Sequence, residues 1–300
     1  MVDDYLPTRH GRLLYMRSVS DNEFWSALLE KAYAKLHGCY EALQGGSTCD
    51  AMVDFSGGCS ETQELGMDER DWEEIYRVMR KNYNRSTMIA CYMNPDPNVV
   101  EAKTDVGLIR GHAYSVTKVV HIKIEKEGKT ECLPLVRVRN PWGNSAEWKG
   151  KWSDGSPEWK LIADHEKAKL GLTFEHDGEF YMAQNDFMRY FEGVEMTHLM
   201  PGSLDEEEIV QGKLQWNTKQ FDGSWIQGKN AGGCRNYLST FASNPQYMVV
   251  LEDSDDDEDD LCTCIIALMQ KGTRKKRKEN DDCLTIGNIL ISIRISKSFC

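Results

Sequence analysis

Gly111-His112-Ala113-Tyr114 and Arg139-Asn140-Pro141-Trp142-Gly143 are the two stretches on which the reading of this chain turns. The histidine opens an apolar run, Ala113–Lys123, and the asparagine follows another, Leu133–Arg139. Runs of this kind, bounded by glycine, proline or charged turns, read as strands. An antiparallel pairing of the two would bring His112 and Asn140 together across 28 positions. The asparagine oxygen can then accept from one imidazole nitrogen and fix the tautomer, leaving the other nitrogen free to take a proton from a thiol. Trp142 would shield that hydrogen bond from water. From spacing alone, a structural histidine beside an Asx-turn remains the commoner outcome.

Outward from this pair, Met88–Met93 and Phe180–Met182 also read as strands, and Gln184–Phe191 as a short helix. Residues 68–82 read as a helix with Trp72, Ile75, Tyr76 and Met79 on one side, and residues 157–170 as another, with Trp159, Ile162 and Ala163 inward. Further upstream, Ser20-Asp-Asn-Glu23 has the form of a capping box. Behind it Phe24, Leu28, Ala32 and Leu36 recur at helical spacing, with Cys39–Leu43 as a further turn. Gly45-Gly46 and Gly57-Gly58 suggest a loop or hinge between them, which puts Cys49 and Cys59 in loops. A boundary is expected near Pro201-Gly202-Ser203. Beyond it Leu214–Trp216, Tyr247–Leu251, Cys262–Met269 and Ile289–Ile295 suggest an antiparallel sandwich.

Composition narrows the function classes. The 300 residues are 40% hydrophobic and 28% charged, with no apolar run long enough for a membrane helix and no signal-peptide pattern at the start. Residues 252–260 carry two thirds of the formal charge of −12, and a basic run follows at 271–278. So acidic a chain is a poor partner for nucleic acid. Ten irregularly spaced cysteines suggest reduced thiols in the cytoplasm, and Cys262-Thr-Cys264 lacks zinc-pair spacing.

The chain closely resembles the calpains, calcium-dependent cysteine endopeptidases with a papain-like core. The likeness rests on Val2-Asp-Asp-Tyr-Leu-Pro, Glu23-Phe-Trp-Ser-Ala-Leu-Leu-Glu-Lys-Ala-Tyr, Gly111-His-Ala-Tyr-Ser-Val, Arg139-Asn-Pro-Trp-Gly, Asp177-Gly-Glu-Phe, Ala231-Gly-Gly-Cys-Arg-Asn-Tyr and Asn244-Pro-Gln. It implies an α+β chain: the tail of the cysteine-bearing lobe at 1–57, an antiparallel-sheet histidine lobe at 58–200, a partial β-sandwich at 206–293 and a divergent tail at 294–300. It implies His112 as general base, Asn140 as its orienter and Trp142 as their cover. The family's Gly-Asp-Cys-Trp nucleophile stretch, which lies upstream in calpains, does not occur in these residues. The start accordingly reads as a truncation, and the chain as written is expected to be inactive.

The resemblance also implies a Ca2+ site in the histidine lobe, from Glu147, Asp154, Asp177, Glu179 and the Glu175 carbonyl, although the loop before Glu147 is one residue longer than usual. Glu23 matches one ligand of a second site whose other ligands are missing. Expected partners are protein substrates, with a calpain small subunit or other regulator as a further candidate and at most peripheral membrane contact. The competing reading is a non-catalytic calpain-like protein that binds calcium or regulates.

Overall fold

The computed structural model describes residues 1–20, 22–66, 68–99, 101–126, 128–210, 212–251, 262–271 and 286–287. The chain divides into two compact units, 1–218 and 219–300.

The first unit opens with a two-stranded hairpin of β1 (Thr8–Arg9) and β2 (Arg12–Leu13), followed by α1 (Trp25–His37) and a 3-10 turn at Tyr40–Leu43. The expected capping box does not form. Phe24 is the N-cap without a side-chain bond, and the Glu23 carboxylate accepts from the Ser18 hydroxyl instead. Nor is the large apolar stripe the buried face. Ser26, Ala27 and Ala34 are buried, whereas Phe24, Trp25, Leu29 and Leu36 are exposed. Leu29, Ala32, Tyr33 and Leu36 of the stripe instead line an open groove with Asp54 and Phe55.

Between the two glycine pairs lies a helix rather than a loop, α2 (Thr48–Ser56). Ser47 caps its start by accepting from the Asp50 amide, and Gly57, at φ 68°, ends it in the left-handed conformation. The strand β3 (Cys59–Glu64) follows, then a 3-10 turn and α3 (Trp72–Tyr83), whose Trp72, Ile75, Tyr76 and Met79 are buried as the spacing predicts.

Next come β4 (Thr87–Met93), β5 (His112–Lys126) and β6 (Lys129–Arg139). The expected helix over 157–170 is broken. A 3-10 turn at Pro157–Leu161 is separated from α4 (Asp164–Leu170) by extended backbone at Ile162 and Ala163, and Ala163 is exposed. The unit continues with β7 (Glu179–Ala183), α5 (Gln184–Tyr190), β8 (Gly193–His198) and α6 (Glu206–Val210).

Six strands form one antiparallel sheet in the order β3-β8-β4-β5-β6-β7. Side-chain alternation gives the sheet two apolar faces. Val136, Val138, Phe180 and Met182 pack with α3 and Phe187 of α5, while Leu135, Ile122, Ile124 and Tyr181 pack with Trp152, Trp159, Ile162 and Leu170. Tyr76 fastens α3 to the sheet by donating to the carbonyls of Val120 at 2.6 Å and Leu135 at 3.2 Å.

In the second unit the Asn244 side chain organises a turn, accepting from Trp225 Nε1 and Gly232 N at 3.0 Å and donating to the Gly233 carbonyl at 2.8 Å. The expected strands do not appear among the described residues: Tyr247–Leu251 and Cys262–Met269 pair with nothing, and Leu214 makes only an isolated bridge to Arg85. A strand exists by virtue of its ladder, and an apolar extended run without a partner is not one. Ile289–Ile295, the acidic run at 252–260 and the basic run beyond Lys271 lie outside the described residues.

Candidate active site and calcium-binding residues

Sheet register places the pair. His112 is the first residue of β5 and lies opposite Met93, while Ser115 lies opposite Arg139 at the end of β6. Asn140 therefore emerges beside the start of β5, and His112 Nε2 stands 2.9 Å from its Oδ1. Asn140 is fully buried and held on every side. Its Nδ2 donates to the Ala146 carbonyl at 3.0 Å, its Oδ1 accepts from Trp142 N at 3.1 Å, and its backbone N donates to the Gly178 carbonyl at 2.8 Å. Gly178 makes this approach possible: at φ 86°, a Cβ there would lie 2.7 Å from the Asn140 carbonyl oxygen. The Trp142 ring lies over the histidine at 4.7 Å, tilted by 50°, and Tyr114 meets it edge-on at 5.1 Å.

One expectation changes. The second imidazole nitrogen is not free: Nδ1 faces the Glu101 carboxylate at 3.5 Å. Nothing in Val100-Glu101-Ala102 marks that glutamate as part of a site.

Cys49 and Cys59 make their contacts away from this base. Cys49 is in the first turn of α2 rather than in a loop, but its sulfur contacts the Glu61 carbonyl and the Thr62 hydroxyl. Cys59 begins β3. Burial pushes both thiols up from their ordinary value, the opposite of what a reactive thiolate needs.

The acidic residues are partly assembled. Glu147 is buried, and its Oε1 accepts from the Gly178 amide at 2.9 Å. Asp154 carries a buried oxygen, Oδ2, without a hydrogen-bond partner. Burial, followed by the charges of Glu147 and Asp177, pushes its carboxyl up to about 7. Asp177 caps its own turn by accepting from Glu179 N at 2.9 Å. Glu179 itself turns to Arg137, with Arg139 at 3.9 Å, and Glu175 is exposed. Glu23 is exposed, at the foot of α1. Among the described residues, no three or more His, Cys, Asp or Glu side chains are gathered closely enough to hold a metal ion. Yet an all-oxygen set around an orphaned, repelled carboxylate has the donor chemistry a hard cation requires.

An α+β unit whose antiparallel sheet carries a histidine–asparagine pair under a tryptophan defines a papain-like peptidase fold. Residues 1–198 match the family model described as calpain family cysteine protease, and residues 221–298 match calpain large subunit, domain III, a β-sandwich-like domain. The chain belongs to the calpain family. It is 52% identical to Calpain-A of Drosophila melanogaster over 294 residues, covering 98% of this chain and 35% of that protein. It is 46% identical to Calpain clp-1 of Caenorhabditis elegans over 309 residues, covering 100% and 39%. Against Calpain-9 of Homo sapiens it is 43% identical over 288 residues, covering 96% and 40%. The chain thus spans between about a third and two fifths of the length of these relatives. Among the described residues, no helix is long and apolar enough to cross a membrane.

Proposed function

We propose that this chain is the base-bearing part of a calcium-dependent cysteine endopeptidase acting on cytoplasmic proteins. The observation that carries the reading is the 2.9 Å contact between His112 and a fully buried, doubly anchored Asn140. A histidine kept only for packing does not need an amide fixed from both ends. In this role His112 takes the proton from a cysteine thiol and later returns it to the leaving amine, while Asn140 holds the ring in plane and Trp142 keeps water from the pair. The thiol would come from a Gly-Asp-Cys-Trp segment, and the 300 residues contain none. By themselves they are expected to leave casein intact.

Calcium would be held by Glu147, Asp154 and Asp177, with Glu179 exchanging Arg137 for the ion and the Glu175 carbonyl as a further donor. Bound there, it would supply positive charge to neutralise the crowded carboxylates. The unpartnered Asp154 oxygen supports this assignment. It equally supports the second reading, a calpain-family protein that binds calcium and regulates without cleaving.

The test is to fuse the chain behind a lobe bearing Gly-Asp-Cys-Trp and assay casein cleavage with calcium. Cleavage is expected. His112→Ala should lower it by at least about a hundredfold, the scale of a lost general base, and Asn140→Ala by less. Undiminished cleavage by His112→Ala would remove the assignment, and no cleavage by a folded parent would favour the regulatory reading.

A further inference from the structure

Both nitrogens of His112 have partners. The orientation of Asn140 is fixed, because Nδ2 must face the Ala146 carbonyl and Oδ1 receives the Trp142 amide. The atom toward the ring is therefore an acceptor, and Nε2 must carry a hydrogen. On the other side, Nδ1 faces a Glu101 oxygen at 3.5 Å. A bare Nδ1 would set a lone pair against a carboxylate, so this arrangement is favourable only when Nδ1 is protonated as well. Tyr114 and Trp142, the other groups against the ring, are neutral. Among the described residues Glu101 is the carboxylate within ion-pair range.

We propose that Glu101 is an autoinhibitory counter-ion, which lies against His112 Nδ1 and occupies the place that a thiol must reach. The proposal rests on the reading of His112 as the base. In a thiolate–imidazolium pair the same nitrogen faces a sulfur anion, so Glu101 supplies a carboxylate anion in the sulfur's place.

The backbone is built to present it. Glu101 has φ 54°, a left-handed conformation that is uncommon for a residue with a side chain. The loop around it is tied down by the Lys103–Ile109 bridge and by Arg110 N donating to the Ala102 carbonyl at 2.8 Å. Glu192, just before β8, accepts from Asn94 N at 3.0 Å and pairs with Arg110 at 3.2 Å. Gly111, at φ 67°, lets the loop close, since a Cβ there would meet Pro95 Cβ at 3.2 Å. The loop is thus anchored while the carboxylate at its tip is 45% exposed, against 9% for the histidine side chain. Glu101 is held against the ring and remains displaceable from solvent.

The full 300-residue chain and its Glu101→Gln and Glu101→Asp variants test this near neutral pH. The protonation of each His112 nitrogen is read by imidazole 15N NMR. Acylation of His112 by diethyl pyrocarbonate is followed by peptide mass spectrometry, with exposed His10 as internal control. Nδ1 should carry less proton in Glu101→Gln than in the parent, and His112 of that variant should be acylated about threefold faster, the scale of a part-exposed ion pair. Glu101→Asp should fall between them, and His10 should not change. Identical His112 signals and rates in parent and Glu101→Gln would overturn the proposal. So would an acceleration shared equally by His10, which would report loosening of the whole chain. Both readouts concern the ring and not turnover, so their failure is separable from failure of the peptidase reading, which casein cleavage decides.

Discussion

The second partnered histidine of the sheet, His198, gives a measurable case of a side chain that shifts its neighbour's titration. It is buried, with Nε2 2.9 Å from the Glu61 carboxylate and Nδ1 3.1 Å from the Thr87 hydroxyl, which also receives Trp216 Nε1 at 3.1 Å. The hydrogen bond from His198 holds the Glu61 carboxyl below its ordinary value of 4.5, outweighing the burial that raises it. A carboxylate with a depressed folded-state value contributes stability above its unfolded value and loses it as pH falls through the folded one. The decline in melting temperature between roughly pH 5 and pH 3 should therefore be shallower in Glu61→Gln than in the parent, as followed by circular dichroism. Equal slopes would show that the pair contributes nothing measurable. Residues of this kind differ in how far a sequence reveals them. His112 and Asn140 sit on strand ends inside recognisable motifs, so their meeting was legible. Glu101 and the Glu61–His198 pair were not, because loop closure and strand register bring them into contact and neither leaves a local signature.

Elements show the same division. The hairpin of β5 and β6 was readable because both strands are long, apolar and bounded by turn residues. β3 was missed because Cys-Ser-Glu-Thr-Gln-Glu is a polar edge strand, and β8 because a strand buried along its whole length shows no alternation. α2 did carry a signal, a serine N-cap before Thr-Cys-Asp and a glycine after the last turn, which the paired glycines obscured. That cap is testable. Ser47→Ala should destabilise the chain by about 1 kcal/mol in urea unfolding, the usual cost of a lost N-cap. Gly178→Ala should cost more, about 1–3 kcal/mol, because it forces a side chain into left-handed backbone. Its added Cβ also meets the Asn140 carbonyl. Since Gly178 N also holds Glu147, the same change should disturb both the histidine pair and the acidic residues, visible as a shift of the His112 and Trp142 resonances. A Gly178→Ala chain with unaltered resonances and unaltered stability would show that the turn is more pliant than its geometry implies.

Over the whole molecule, charge is the property that one ion would change most. The formal charge is −12, and most of it lies in the run at 252–260, so a cation could stabilise this chain for two different reasons. Near Asp154 the reason is local. Burial and the like charges of Glu147 and Asp177 oppose the Asp154 carboxylate, and one of its oxygens has no partner. Calcium tolerates irregular oxygen cages, whereas magnesium keeps its water and demands a strict octahedron. Calcium should therefore raise the melting temperature of the intact chain well beyond what equal magnesium does. At a hundredfold excess over the dissociation constant, mass action contributes about 2.7 kcal/mol. Diffuse attraction to 252–260 would instead be nearly indifferent to which divalent ion is supplied and would fade with salt. Two variants separate the causes. Asp154→Asn should lose most of the calcium response while keeping the acidic run, and a chain with 252–260 neutralised should keep the response while losing most of the formal charge. If Asp154→Asn responds as strongly as the parent, or if the neutralised chain no longer responds, the calcium acts elsewhere and the ligand assignment fails.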